Sequence, residues 1–180
     1  TVKIGKIISR ISRRIIFLMD GVNTKLYMKC YNKWLKNQRI DMDGEAKFIH
    51  HSVSFDGVSY RHIHIGNNVV ISKDTLILEH DFSLEAGLLA IGKSEAPSVE
   101  AYYVKDVIIG KDCFIGAKSV ILGGSQIGDH CIIGAGTVIP GKTYPEYSII
   151  VGNPGRVIGD VREWAERKYK EGNYNRGYLN

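Results

Sequence analysis

Six histidines, His50, His51, His62, His64, His80 and His130, are the side chains whose ordinary titration lies closest to neutral pH. A neutral imidazole can take a proton from an attacking group, so each is a candidate general base. His80 stands apart by position: it sits where a regular repeat stops and a long irregular segment begins. Glu79 and Asp81 flank it, and a carboxylate can fix the tautomer of a base histidine. Adjacent residues point to opposite sides of a strand, so neither carboxylate is assured of reaching the ring, and a backbone carbonyl is an equal candidate. His62-x-His64 places two imidazoles on one side of a strand, which is half of a metal site. The cysteines, Cys30, Cys113 and Cys131, form no CxxC pair and read as reduced thiols.

These side chains are positioned by a repeat. Ile109, Ile115, Ile121, Ile127, Ile133 and Ile139 recur every six residues. Glycine or proline usually follows, at 110, 116, 128, 134 and 140, with Leu122 the exception. Four places after each of the first five isoleucines comes Cys113, Ser119, Ser125, Cys131 or Thr137. An earlier block, Ile65, Ile71 and Ile77, shows the same period, with Val69 and Thr75 at the fourth place. Six fits neither helix nor simple strand alternation. It suits a short strand and a tight turn, stacked into a β-solenoid with isoleucine over isoleucine. Ile77 and Ile109 are 32 residues apart, which breaks the period, so about 82–106 is expected to leave the coil as a long loop containing Pro97.

The remaining chain divides around this solenoid. Residues 1–42 read as a helical arm: Ile4, Ile7, Ile8, Ile11, Ile15, Leu18 and Met19 have helical spacing, and a second helix is expected from about Thr24 to Gln38. Residues 43–159 are expected to be the solenoid domain. Residues 160–180 should hold a short helix over Val161–Tyr169 and a loose tail. The formal charge of +5 favours an anionic partner. Nucleic acid is not expected, because the basic residues are dispersed and no nucleic-acid motif is present. The run Ile15–Met19 is too short to span a bilayer and no signal peptide is visible, so a cytoplasmic protein is expected. Arg10, Arg13 and Arg14 beside the apolar stripe could dock on an anionic membrane. The reading preferred from sequence is that the stripe packs on an assembled trimer and the arginines are solvated.

The stretch Val107–Ile158, closing in Gly152-Asn153-Pro154-Gly155-Arg156-Val157-Ile158, resembles the bacterial hexapeptide-repeat acyltransferases. The block Ile65–Asp81, ending Leu78-Glu79-His80-Asp81, resembles that family's catalytic-histidine region. The resemblance implies a mainly β protein: a left-handed parallel β-helix with an N-terminal helical arm, an inserted loop and a C-terminal helix. It implies a homotrimer with sites between subunits, acetyl-CoA as donor, no metal, and His80 as general base. The arm is similar to that of sugar O-acetyltransferases of polysaccharide gene clusters. The implied acceptor is a small or lipid-linked sugar, in capsule, O-antigen or exopolysaccharide synthesis.

Under that reading a thioester donor must be held and its oxyanion stabilised. A backbone N–H at Gly123 or Gly124 suits the oxyanion. Ala117 and Ala135 sit in Gly-Ala turns 18 residues apart, so they should stack on one edge beside the CoA arm. Lys142 and Arg156 are candidates for its phosphates. Asp56, Tyr102, Tyr103 and Lys105 are candidates for the acceptor. An N-acetyltransferase on an amino sugar is the near alternative. A zinc carbonic-anhydrase-like trimer, using His62 and His64 with His80 or His130, is the alternative of another class, and a non-catalytic scaffold is a third.

Overall fold

The computed structural model describes residues 11–55, 60–95 and 100–177. Its centre is a parallel solenoid of three faces. One face stacks β1 (Asp41–Met42), β4 (Ile63–Ile65), β9 (Val107–Ile109), β12 (Gln126–Ile127) and β15 (Thr143–Tyr144). The second stacks β2 (Phe48–Ile49), β5 (Val70–Ile71), β10 (Phe114–Ile115), β13 (Ile132–Ile133) and β16 (Ser148–Val151). The third stacks β3 (Ser54–Phe55), β6 (Leu76–Ile77), β11 (Val120–Ile121) and β14 (Val138–Ile139). Three six-residue units therefore make one coil, and Ile109 pairs with Ile127 directly below it. The coil begins at Asp41, two residues before the boundary read from sequence.

The six-residue period has a local cause. Each repeat isoleucine, from Ile65 to Ile77 and from Ile109 to Ile139 in steps of six, points inward and is at most 2 % exposed. Three residues later the chain turns through a left-handed conformation, at Asn68, Asp74, Asp112, Lys118, Gly124, His130 and Gly136. The fourth-place residue then points back inside: Val69, Thr75, Cys113, Ser119, Ser125, Cys131 and Thr137 are all buried. Where it carries a polar atom, that atom meets a backbone group: Ser119 Oγ donates to Gly116 O within its own turn at 2.8 Å, and Cys113 Sγ to Gly128 O of the next coil at 3.1 Å. The two cysteines are thus corner fillers. Glycine after isoleucine is a matter of space between coils: a Cβ on Gly116 would lie 2.5 Å from the amide nitrogen of Ala135.

Across the break the register runs on undisturbed. Ile65 pairs with Ile109, Ile71 lies beside Ile115, and Ile77 beside Ile121. Each pair is 44 residues apart, one 18-residue coil plus an excursion of 26. The excursion is not a plain loop. β7 (His80–Asp81) pairs antiparallel with β8 (Tyr103–Val104), and a helix, Ser83–Ala90, fills part of the space between them.

Helix α1 (Thr24–Asn37) closes the first coil. Buried Asn32 imitates a missing strand: its amide donates to Ala46 O at 3.0 Å and its carbonyl accepts from Ala46 N at 3.1 Å. Tyr27 donates to Ile49 O at 2.6 Å. Tyr27, Tyr31 and Trp34 stack over this end, and burial pushes the Tyr31 phenol up to about 12.

The far end is closed by β17 (Arg156–Asp160), which turns back antiparallel to β16. Tyr144 donates to Gly155 O at 2.9 Å and pins this turn. The final helix, Val161–Glu171, is α3, with Ser83–Ala90 as α2. Asp160 caps α3, accepting from the Arg162 amide at 2.7 Å and from its guanidinium at 2.6 Å. The Arg162 side chain holds the Asp160 carboxyl down at about 2. Because the folded value lies below the ordinary one near 3.8, this support is present above that value and lost as pH falls through about 2. Amide exchange in α3 is therefore expected to quicken over that acid window, and Asp160→Ala is expected to abolish the step.

Candidate active site

His80 projects from the start of the excursion. Its ring meets Phe82 edge-on at 4.8 Å between centroids and Tyr102 at 6.3 Å. Phe82 and Tyr102 in turn contact one another at 4.9 Å. Strand alternation explains the grouping. His80 lies opposite Val104, so Phe82 and Tyr102 fall on its side of the pair. Tyr103 lies opposite Asp81, on the other side, with the Lys105 ammonium 5.2 Å from its ring centroid. The four acceptor candidates therefore separate. Tyr102 is at the imidazole, Tyr103 and Lys105 are behind it, and Asp56 lies outside the described residues.

The excursion is braced from within. Glu85 on α2 accepts from the Ala101 amide at 2.9 Å and from the Ser94 hydroxyl. These bonds hold its carboxyl below the ordinary range, the Ser94 bond most of all. Ala101 precedes Tyr102, so Glu85 sets where that ring stands.

The carboxylates beside His80 are committed differently. Asp81 accepts from the Ser83 amide at 2.8 Å and is lowered by that bond. That bond ties the Asp81 carboxylate to Ser83, the first residue of α2. Glu79 is buried at 2 % exposure, and its carbonyl accepts from the Lys105 amide at 2.8 Å. Gly123 lies against this junction. A Cβ there would come within 2.9 Å of Glu79 O and 3.3 Å of Lys105 O. Gly124 donates its N–H to Asp106 O at 2.8 Å, which removes it from the two oxyanion candidates in this arrangement.

Ala117 and Ala135 do share a corner: the amide of Gly136 donates to Ala117 O at 2.8 Å. The edge is bare, since a Cβ on Gly136 would meet nothing within 4 Å. Lys142 and Arg156 are exposed on the last coils. Phe82 and Glu85 were not among the sequence candidates. The two-residue step from His80 to Phe82 could have revealed the first; nothing local reveals the second.

Other histidines also meet carboxylates. His62 Nδ1 lies 2.7 Å from Asp106, His64 Nδ1 2.9 Å from Asp41, and His51 Nδ1 2.7 Å from Asp20. His62 and His64 hydrogen-bond to different carboxylates, and His64 Nε2 also lies 3.9 Å from the Asp106 that His62 meets. Among the described residues, the cluster that brings three ligand atoms within 4.8 Å is Asp20, His50 and His51, which contains none of the zinc candidates. Pairing with a carboxylate does not single out a base here. His80 differs from these histidines in its place at the start of the excursion.

Residues 106–141 match the family model for the bacterial transferase hexapeptide, six repeats. This 36-residue stretch is a hexapeptide-repeat segment. The repeat chain is 32% identical over 108 residues to YvoF of Bacillus subtilis (strain 168), provisionally named an acetyltransferase. That match covers 60% of the chain and 54% of YvoF, so the chain spans about half the length of this relative. Among solved structures, a galactoside acetyltransferase in complex with coenzyme A superposes with a TM-score of 0.58 at 19% identity, covering 88% of this chain and 83% of that one. The hexapeptide-repeat acetyltransferase VCA0836 of Vibrio cholerae, complexed with acetyl-CoA, gives 0.53 at 19%, covering 85% and 87%. At such identity the likeness carries the fold, and the solenoid is a left-handed parallel β-helix.

Proposed function

We propose that this chain transfers an acetyl group from acetyl-CoA to a sugar hydroxyl, with His80 as general base. The observation that carries the proposal is the 26-residue break in the solenoid between Ile77 and Ile109. There an imidazole meets Phe82 edge-on, with Tyr102 packed against Phe82, next to the glycine step at 123, on a transferase-type hexapeptide coil. The resemblance to YvoF and to the two acetyltransferase structures supports the donor.

In this reading His80 takes the proton as the acceptor oxygen attacks the thioester carbonyl. The Gly123 N–H faces the oxyanion, since that of Gly124 is committed elsewhere. Collapse breaks the C–S bond, and the imidazolium returns its proton to the leaving thiolate, which leaves free CoA. Asp81 and Glu85 position the segment, while Glu79 supports the imidazole from the buried side. Phe82 and Tyr102 offer the flat apolar surfaces on which a sugar ring can rest. The bare Ala117–Ala135 edge takes the pantetheine arm, and Lys142 and Arg156 face its phosphates. A homotrimer would cover Tyr103, Val104, Ile108 and Phe114, which are exposed in the single chain. Polysaccharide synthesis inside the cell is the corresponding setting. Among the described residues no helix is long and apolar enough to cross a membrane.

The test is a panel of hydroxyl and amino sugars incubated with acetyl-CoA, with products read by mass and NMR. An O-acetyl ester on a sugar hydroxyl is the expected product. An amide on an amino sugar would move the assignment to N-acetylation, and no acetylated product from any sugar would refute it.

A further inference from the structure

The N-terminal arm carries two stripes that the site does not use. From residue 11 the chain is helical to 17, and the Leu18 amide still bonds to Arg14 O at 3.3 Å. One side packs inward: Ile16, Phe17 and Met19 lie against the core. Arg13 goes with them. It donates to Val53 O at 3.1 Å and stands over the Phe17 and Trp34 rings. The expectation of solvated arginines on a packed stripe is thus reversed at Arg13. The other side holds Ile11, Ile15 and Leu18, which are 54%, 54% and 78% exposed, at spacings of four and three that align them on one helical face. Arg14 flanks them and is exposed. The exposed apolar series continues through Val22 and Leu26 into α1.

On α1 the outward residues are Lys25, Lys29, Lys33 and Lys36, all exposed, at helical spacings of four, four and three. Opposite them Tyr27, Met28, Tyr31, Trp34 and Leu35 are buried. The charge follows the same division. Residues 1–38 carry nine Lys and Arg against one Asp, a net +8, while residues 39–180 carry fifteen against eighteen, a net −3.

We infer that this arm docks on an anionic lipid surface, with Ile11, Ile15 and Leu18 entering the headgroup boundary and the lysine row of α1 meeting lipid phosphates. Exposed large apolar residues cost solvation unless something covers them. A lysine row beside them repels a second copy of itself, because like charges would be brought together. An anionic bilayer satisfies both features at once: each lysine near such a surface adds attraction, and the apolar stripe adds insertion. Docking through this surface would bring the acyl-transfer site to acceptors held in a membrane.

The experiment is co-sedimentation of the full chain with vesicles of phosphatidylcholine, with and without about a third phosphatidylglycerol. Binding to the anionic vesicles is expected, weakened by salt, with little binding to neutral ones. Ile15→Glu/Leu18→Glu and, separately, Lys25→Glu/Lys29→Glu are each expected to weaken binding about tenfold or more, with helical content and acyl transfer to a soluble acceptor unchanged. Equal binding to neutral vesicles, or none to anionic ones, overturns the inference. So does an Ile15→Glu/Leu18→Glu protein that changes oligomeric state in sedimentation velocity, because the stripe would then be an interface between copies.

Discussion

His80→Ala is expected to lower acetyl transfer by about 10²–10⁴-fold while leaving assembly and CoA binding intact. The size follows from the role: without a base the acceptor hydroxyl must lose its proton to water. The selectivity follows from the position. His80 lies outside the isoleucine columns, on a two-residue strand at the mouth of the excursion, so its loss leaves those columns intact. The measurement is a rate under saturating donor, beside the dissociation constant for CoA and the sedimentation of the assembly. His62→Ala serves as the comparison. His62 has a carboxylate neighbour, Asp106, yet stands away from the aromatic pair, and its loss is expected to change the rate little.

Ile115→Ala should have the largest effect on stability. Ile115 is fully buried and sits in the middle of its column, between Ile71 above and Ile133 below. Removing its outer carbons leaves a hole that the stacked coils cannot close, because their spacing is set by backbone hydrogen bonds on every face. The expected cost is about 2–5 kcal/mol, read by denaturant unfolding. Gln126→Ala, on an outward position two strands further on, is expected to change stability by less than about 0.5 kcal/mol. A similar cost at both positions would show that the columns do not carry the fold.

Much of this architecture was legible from 65 onward, for a physical reason. Each six-residue unit makes the same demands in the same order: an inward isoleucine, room for the next coil, a left-handed turn, and a small residue to close it. The first coil was not legible. Met42, Ile49 and Phe55 are spaced seven and six apart, and the coil then meets the next at offsets of 23 and 22 residues rather than 18. The excursion was visible as a break in phase, but its inner order was not. Gly87 in the middle of α2 weakens the helical signal, and β7 finds its partner more than twenty residues away.

At the site, the sequence singled out His80 and the small-residue corner at Ala117 and Ala135. It could not say which side of a strand pair Tyr103 and Lys105 would take, because that depends on a pairing register. It could not foresee that Asp81 and Glu85 would be taken up by local backbone amides. Nor could it show that Arg13 would turn inward onto Phe17 and Trp34 while its neighbour Arg14 stayed outside.

The measurement that tests the account most directly is the release of free thiol from acetyl-CoA by the purified protein, with and without a sugar acceptor. Thiol release that depends on the acceptor, equals the acetyl ester formed, and is lost in His80→Ala is the result predicted. Thiol release at the same rate without acceptor, or an undiminished rate in His80→Ala, would contradict it.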